Sequence, residues 1–260
     1  MMSLKLLKSS FKKRRVRNSL KLQKFLQKKT KLSRRKAGKA IKSGVVKVDG
    51  QVVTEPWLQI NPQKNTVEIN NVIIKNKTEK KVVYAFNKPA GIITTMNDEK
   101  GRKCIGDIVR NRINENVFHV GRLDKETEGL ILLTNDGELA NKLTHPSSEI
   151  KKTYLVMVDS DIQKSELSHI KKGIKLKDGH VTAPSKIEVL SRTGKGTLAR
   201  LVIHEGHKRE IREMFKSLGK KVIKLRRISI GRLSINIVPG PGDIKQLSLS
   251  EIELLFKNPG

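Results

Sequence analysis

The sequence predicts an α+β protein, and three observations lead to that class. Short β-branched runs surround Asp49 and Gly50, and again Asp178 and Gly179, and both pairs are typical of hairpin turns. The continuous apolar run from Gly129 to Thr134 is typical of a buried strand. Helical periodicity recurs between the strands without the regular order of βαβ units. The length of 260 residues allows one or two domains and a sizeable core.

The chain is strongly basic, with 55 Lys and Arg against 25 Asp and Glu and a formal charge of +30. Such an excess indicates a nucleic acid as partner, with a membrane surface as the alternative. No apolar run approaches the roughly 20 residues that span a bilayer, which excludes a transmembrane helix. Cys104 is the single cysteine, so an intramolecular disulfide is excluded and a reducing compartment is favoured. We expect Cys104 to be a small buried residue.

The positive charge is concentrated at the N-terminus. Residues 1–48 contain 18 Lys or Arg and no Asp or Glu, so this segment carries +18 of the total charge. Residues 1–19 lack the apolar stretch of a secretory signal, and we predict a disordered basic arm that binds RNA. An organelle transit peptide is the alternative for this arm.

A helix pair and a hairpin are predicted to form a small domain over residues 20–74. Leu22, Phe25 and Leu26 have helical spacing, and a second helix opens at Ser33 and ends at Gly44. One face of the second helix is apolar, and the other is cationic. In an acid-free segment we expect its cations to bind phosphate, although a solvated helix surface is the alternative. These cations are Arg34, Arg35, Lys39 and Lys42. A lysine-rich linker, residues 75–81, separates this domain from a second one over residues 82–257.

A loop in the second domain begins with Asn87, Lys88 and Pro89 and continues to Gly91. This loop ends one strand and begins another, and it can lie along a substrate. A tight turn with a solvated lysine is the alternative for Lys88.

Asp124 is the most suggestive carboxylate of the chain. It lies in the segment GRLDKETEGLILLTNDG, residues 121–137, in a glycine-flanked loop directly before the apolar strand. An acid at such a place is suited to catalysis, whereas a turn-forming Asp is the alternative. Asn135 followed by Glu138 predicts the start of a helix that ends at Pro146.

The C-terminal part of the chain supplies further candidate residues. A β-rich run over residues 152–157 contains Tyr154, and residues 161–173 have a helical pattern. Another helix precedes Gly219, and Lys208 and Arg212 fall on the border of its apolar stripe, where a surface arginine is the alternative for Arg212. The apolar stripe of this helix consists of Ile211, Met214, Phe215 and Leu218.

Several competing chemistries lack their motifs. His204 and His207 are three residues apart, but no further ligand pattern completes a metal site. No phosphate-binding glycine loop and no GxSxG elbow occurs, so nucleotide hydrolysis, dinucleotide chemistry and serine-hydrolase chemistry have no support. We expect neither a metal nor a cofactor.

Residues 20 to about 70, with LSRRKAGKAIKSGVVKVDGQVV at their centre, resemble the S4 RNA-binding domain. In that family the helix pair and hairpin grip structured RNA. The resemblance implies that the basic helix, including Ser33, binds RNA.

Four further motifs occur in the order found in bacterial ribosomal pseudouridine synthases of the RsuA/RluB type. They are NKPAGIITT, GRLDKETEGLILLTNDGELANKLTHP, KTYLV and EGHKREIREMF, and with the S4-type domain the resemblance covers residues 20–256. It implies a two-lobed catalytic domain on a mixed, largely antiparallel sheet, which isomerises a uridine of rRNA to pseudouridine.

The resemblance also implies roles for individual residues. Asp124 is the catalytic carboxylate, Tyr154 is the ring that lies against the target base, and Arg212 is the cation that pairs with the aspartate. Arg122 helps to hold the extruded nucleotide. Contact with the substrate is expected from Asn87, Lys88 and Lys208.

Some features depart from the family pattern or extend it. Glu213 stands where relatives usually carry a basic residue, and the arm before Leu20 has no clear counterpart. The C-terminal segment is more similar to the branch that acts on large-subunit rRNA. We expect a cytoplasmic, bacterial monomer. A non-catalytic RNA-binding factor for ribosome assembly is the alternative, and a membrane-surface protein is a more distant one.

Overall fold

The computed structural model describes residues 19–30, 32–76, 80–194 and 196–258. The predicted basic arm therefore lies outside the described residues, except for Ser19. The chain divides into two compact units, residues 1–80 and 81–260.

The first unit consists of two helices and short antiparallel strands. Ser33 accepts a hydrogen bond from Lys36 N and so caps the second helix, as its position before the basic run predicts. Asp49 and Gly50 have φ values of 51° and 80°, which is the type I′ hairpin that the sequence predicts. The elements are β1 (Leu20–Lys21), α1 (Leu22–Lys29), α2 (Arg34–Lys42), β2 (Val46–Val48), β3 (Gln51–Val52), β4 (Gln59–Ile60), β5 (Val67–Ile69) and β6 (Val72–Ile73).

The first half of the second unit contains the strand that the apolar run predicts. This strand, β9, runs from Thr127 to Thr134, and only Glu128 in it is not buried. The predicted cap of the following helix is wrong by one residue, because Asp136 accepts from Glu138 N and Leu139 N while Asn135 accepts from Val82 N. The elements are β7 (Val83–Lys88), α3 (Ile105–Val109), β8 (Phe118–Val120), β9 and α4 (Gly137–Thr144).

The second half continues the same sheet and adds the helix of the EGHKREIREMF motif. The helical pattern of residues 161–173 is confirmed as a shorter helix, and the strands predicted around Asp178 reduce to an isolated bridge between Lys175 and Val181. The elements are β10 (Lys152–Val158), α5 (Lys164–Lys172), β11 (Lys186–Thr193), β12 (Gly196–Ile203), α6 (Glu210–Ser217), β13 (Val222–Ile230), β14 (Leu233–Ser234), β15 (Ile244–Gln246) and α7 (Leu249–Leu254).

Among the described residues of the second unit, nine strands form one mixed sheet. Its main order is β11-β12-β10-β13-β9-β7-β15, with β14 beside β13 and β8 beside β9. All these pairs are antiparallel except β9 with β13, which confirms the mixed, largely antiparallel sheet. The side chains along β7 and β9 pack alternately into two apolar clusters, one on each face of the sheet. This follows because successive side chains of a strand point to opposite faces.

Close pairing of β9 with β13 depends on Gly129. Its φ is 111°, and a Cβ atom there would lie 2.3 Å from Arg227 O. A side chain at this position would force the two strands apart. The parallel contact sets the register between the strand that follows Asp124 and the strand beside Tyr154.

Candidate active site

Asp124 lies in the loop between β8 and β9, and hydrogen bonds hold this loop on both sides. The hydroxyl of Thr94 donates to Leu123 O at 2.7 Å and accepts from Leu123 N at 3.2 Å. The N–H of Gly91 donates to Lys125 O at 2.9 Å. The backbone around Asp124 is therefore fixed, while its side chain stays 35% exposed.

Lys88, at the end of β7, fastens the same loop from within. Its side chain is fully buried, and Nζ donates to Pro89 O at 2.8 Å, Lys125 O at 3.2 Å and Thr127 O at 2.8 Å. Burial lowers the pKa of Lys88 to about 8, and nearby carboxylates, Asp124 among them, oppose that shift. Lys88 thus ties its own loop to the loop that carries Asp124.

The neighbouring Asn87 is also part of the framework. It is buried, and its Nδ2 donates to Val238 O at 2.9 Å and to Pro239 O at 3.2 Å. The side chains of Asn87 and Lys88 are therefore turned into the protein, and the substrate contact predicted for these two residues stays a prediction. A buried polar side chain must satisfy its hydrogen bonds within the protein, and here the partners are backbone carbonyls.

The cation in contact with Asp124 is Arg209, whose Nη1 lies 3.7 Å from Asp124 Oδ2. We predicted Arg212 for this pairing, so the structure corrects the direct partner. Arg209 directly precedes α6 and has a φ of 54°, in the left-handed region that is uncommon for arginine. Strained backbone of this kind is concentrated at functional sites.

Arg212 lies one turn further along α6 and links this helix to the Asp124 loop. Its Nη1 donates to Val222 O at 3.1 Å, and its Nη2 donates to Glu126 O at 3.4 Å. Burial and then repulsion from Arg209 lower the pKa of Arg212, whereas Asp124 raises it. Arg212 is therefore close enough to act on Asp124 electrostatically, although backbone carbonyls hold its guanidinium.

Tyr154 is aligned with the Asp124 loop by the register of the sheet. It lies opposite Arg227 on β13, and Arg227 lies opposite Gly129 on β9, which in turn lies opposite Lys88 on β7. Tyr154 is 7% exposed, and its hydroxyl accepts from Arg227 Nη1 at 3.4 Å. One row across four strands therefore contains Tyr154 and the lysine that holds the Asp124 loop.

Two guanidinium groups near this row have unused donors. Arg227 is 4% exposed, and its Nε donates to Leu130 O at 2.6 Å. Its Nη2 and the Nε of Arg212 are buried without a hydrogen-bond partner. Buried polar groups in folded proteins are normally paired, so these two guanidinium nitrogens are unsatisfied donors within the described structure.

A second group of titratable residues supports the start of α6. Glu210 is 3% exposed and accepts from His207 N at 2.9 Å. Burial and the adjacent Glu205 raise the pKa of Glu210. Burial, followed by repulsion from Arg227, lowers the pKa of Lys152 to about 8. The residues around the start of α6 thus include a buried carboxyl and a buried amine whose pKa values are shifted toward their neutral forms.

The remaining predicted residues are at the surface. Arg122 and Lys208 are exposed on the loops that flank Asp124 and α6 respectively. In the first unit, the four cations of α2 are exposed, opposite the buried Ala37 and Ile41. The two-faced character that periodicity predicts for α2 is therefore confirmed, whereas the RNA contacts of all these cations stay predictions.

Sequence reasoning missed Arg209, Arg227 and Thr94. Arg209 precedes Arg212 by three residues, a spacing that indicates a shared helix face and would have suggested it. Arg227 has no such signal, because its place beside Tyr154 follows from strand register. Cys104 is buried, as predicted, and is the N-cap residue directly before α3.

Two further properties concern the described part of the chain only. No group of three or more His, Cys, Asp or Glu side chains there is placed to hold a metal ion. No helix in the described ranges is long and apolar enough to cross a membrane.

Comparison with known proteins identifies similar families over both units. A family model described as RNA pseudouridylate synthase matches residues 82–217, and an S4 domain model matches residues 20–62. An uncharacterized RNA pseudouridine synthase of Mycobacterium leprae is 42% identical, over 93% of this chain and 94% of that protein. Ribosomal large subunit pseudouridine synthase B of Bacillus subtilis is 41% identical, over 86% of this chain and 90% of its own length.

A solved structure shows the same fold. It is described as the crystal structure of pseudouridylate synthase and matches with a TM-score of 0.66 and 30% sequence identity. The match covers 91% of this chain and 99% of that one.

Proposed function

Because the chain belongs to the RNA pseudouridylate synthase family and is thus an isomerase acting on RNA, we propose that it converts one uridine of large-subunit rRNA to pseudouridine. The choice of rRNA rests on the Bacillus subtilis relative, whose name specifies the large ribosomal subunit. We further propose that the protein acts as a monomer in the bacterial cytoplasm.

The observation that carries this proposal is the fixed Asp124 carboxylate beside two arginines. Thr94 and Lys88 hold the loop, Arg209 lies against the carboxylate, and Arg212 acts on it from α6. The two arginines place positive charge beside the carboxylate. An ionised aspartate is the form that attacks a sugar carbon or removes a proton from the sugar.

The reaction requires that the base leave its ribose and return by another atom. The bond between N1 of uracil and C1′ of ribose breaks, and a bond between C5 and C1′ forms. The proton of C5 is lost to solvent, and N1 gains a proton. Asp124 starts this sequence either by attack on the sugar or by proton removal from it, and both routes stay open.

The surroundings of Asp124 are suited to an extruded uridine. A stacked base is out of reach, so it must be flipped out at a cost of about a few kcal/mol. The ring of Tyr154 replaces part of the lost stacking. The exposed Arg122 helps to hold the flipped nucleotide.

The test is tritium release from rRNA that carries 5-tritiated uridine, with both naked RNA and partly assembled particles as substrate. We expect release by the wild-type protein and a rate at least about 100-fold lower for Asp124→Asn. Asp136→Asn is the matched control, because it makes the same chemical change at the N-cap of α4, where Asn also caps a helix well. Mapping the pseudouridine by primer-extension stops then identifies the uridine.

A specific result would overturn the proposal. If neither substrate released tritium while tight, salt-dependent RNA binding persisted, the protein would act on rRNA only as a binding factor for ribosome assembly.

A further inference from the structure

The single tryptophan of the chain, Trp57, is 64% exposed in the first unit. A side chain of this size normally buries most of its surface, because exposure of a large apolar ring to water is unfavourable. Its neighbours Pro56 and Ile60 are buried. The Trp57 ring is therefore exposed within a segment that buried residues attach to the unit.

The turn that carries Trp57 is held at both sides. Pro56 O accepts from Gln23 N at 3.1 Å, and Leu58 O accepts from Leu22 N at 2.8 Å. Leu58 N also closes the turn with Glu55 O at 3.1 Å. The ring is consequently presented on a fixed backbone, so little backbone entropy would be lost when a ligand contacts it.

Trp57 and Pro56 form one wall of a shallow cleft, and the cationic side of α2 forms the other. Lys39 and Lys42 line the cleft together with Arg35 and Gly38. A Cβ atom on Gly38 would lie 2.6 Å from Gln23 Nε2. A side chain at Gly38 would therefore displace the Gln23 amide, which also lines the cleft.

The side chains that line the cleft are suited to binding one unpaired nucleotide. An aromatic face stacks on a nucleobase of any sequence, and adjacent lysines neutralise the phosphates on either side of it. Lys39 and Lys42 have no ion-pair partner within the described residues, and residues 1–48 contain no acid. A polyanion would neutralise these cations, whereas an apolar protein partner would bury them without a counter-charge.

We propose that Trp57 stacks on an unpaired nucleobase of the RNA, while Lys39 and Lys42 bind the phosphates that flank it. This inference rests on the proposed RNA substrate but concerns a subsite in the first unit. It assigns the S4-type domain a contact to an unpaired nucleotide in addition to the charge contacts of its basic helix.

Tryptophan fluorescence of the full-length protein tests this directly, because Trp57 is the sole tryptophan. The probes are an RNA stem-loop with one bulged adenosine, the same stem fully paired, and inorganic polyphosphate. We expect quenching with the bulged RNA, weaker quenching with the paired stem, and none with polyphosphate although polyphosphate also binds the lysines.

Substitutions separate stacking from charge. Trp57→Ala is expected to weaken binding of the bulged RNA by about 5- to 150-fold, and Trp57→Phe by much less, since a phenyl ring still stacks. Val72→Ala is the matched control, because Val72 is also 64% exposed in this unit but does not line the cleft. We expect no more than about a 2-fold change for this control.

The outcomes separate this inference from the proposed function. Quenching that persists in Asp124→Asn supports the subsite, even if the wild-type protein releases no tritium. Equal affinity of Trp57→Ala and wild type, together with no quenching by RNA that binds, would overturn the subsite and assign Trp57 to a protein partner.

Discussion

The cations of α2 and those around Asp124 differ in what they contact. On α2, Lys39 and Lys42 are exposed, and no carboxylate pairs with them among the described residues. Around Asp124, Lys88 and Arg227 are buried and donate to backbone carbonyls. The first group is available to a partner, while most of the second is already used to hold the site.

This difference separates two uses of positive charge in one basic protein. Exposed lysines act at long range, so salt weakens their effect. A buried cation that is bonded to carbonyls acts as a fixed cross-link, and removal of it leaves its acceptors unpaired. Removal of a cation should therefore mainly weaken RNA binding on α2, whereas around Asp124 it should mainly destabilise the fold.

The largest effect is expected for Lys88→Met. The change removes three hydrogen bonds and leaves three carbonyls without their donor, which costs about 2 to 4 kcal/mol of unfolding free energy. Turnover falls as well, since the Asp124 loop loses its support. Urea denaturation and tritium release measure the two quantities, with Lys125→Met as control because Lys125 is exposed. An unchanged denaturation midpoint for Lys88→Met would refute its role as a cross-link.

Separate substitutions of Arg212 and Arg209 by Gln test which of the two cations contributes more to turnover. We expect Arg212→Gln to lower kcat by about 100-fold or more, because its charge acts on Asp124 and its guanidinium links α6 to the Asp124 loop. Arg209→Gln should lower kcat/KM by about 10-fold, and unfolding free energy by less than about 1 kcal/mol, because its ion pair is long and partly exposed. The reverse order in single-turnover assays would make Arg209 the principal partner of Asp124.

Replacement of both Lys39 and Lys42 by Gln tests whether the exposed cations of α2 bind RNA. RNA affinity should fall several-fold, and the slope of log affinity against log salt should decrease by roughly one for each phosphate that the protein no longer neutralises. Unfolding free energy should stay within about 0.5 kcal/mol of wild type. Binding titrations at several salt concentrations check this, and an unchanged slope would exclude phosphate binding by these lysines.

The smallest effect is expected for Glu210→Gln. Because the folded-state pKa of Glu210 lies above its ordinary value of 4.5, this carboxyl stabilises folding fully only below about pH 4.5, and that contribution is lost as pH rises through the folded-state pKa.

The two proteins should therefore be equally stable at pH 4.5, and Glu210→Gln should be more stable by about 1 kcal/mol or more at pH 9. The neighbours Glu205 and Lys152 titrate in both proteins, so only the difference between the two pH profiles is informative. Parallel profiles would mean that Glu210 is ionised in the folded protein throughout.

Local patterns determined much of the fold before any tertiary contact was known. The cap at Ser33, the hairpin at Asp49 and Gly50, and the buried strand at β9 follow from short-range rules that the sequence displays directly. The cap at Asp136 was missed because Asn135 and Asp136 have similar intrinsic preference for that position. Only the contact of Asn135 with Val82 N decides between them.

For the candidate site, too, some features follow from the sequence and others only from the tertiary structure. By itself, the sequence determined that α2 has a cationic face opposite an apolar one, and it named Asp124, Tyr154 and Arg212 as the residues to test. Only the tertiary structure decided that Arg209 contacts Asp124, that Lys88 is a buried cross-link, and that Arg227 lies between Gly129 and Tyr154. Helical periodicity and turn propensity are properties of neighbouring residues, whereas strand register and the burial of a charge depend on segments far apart in the chain.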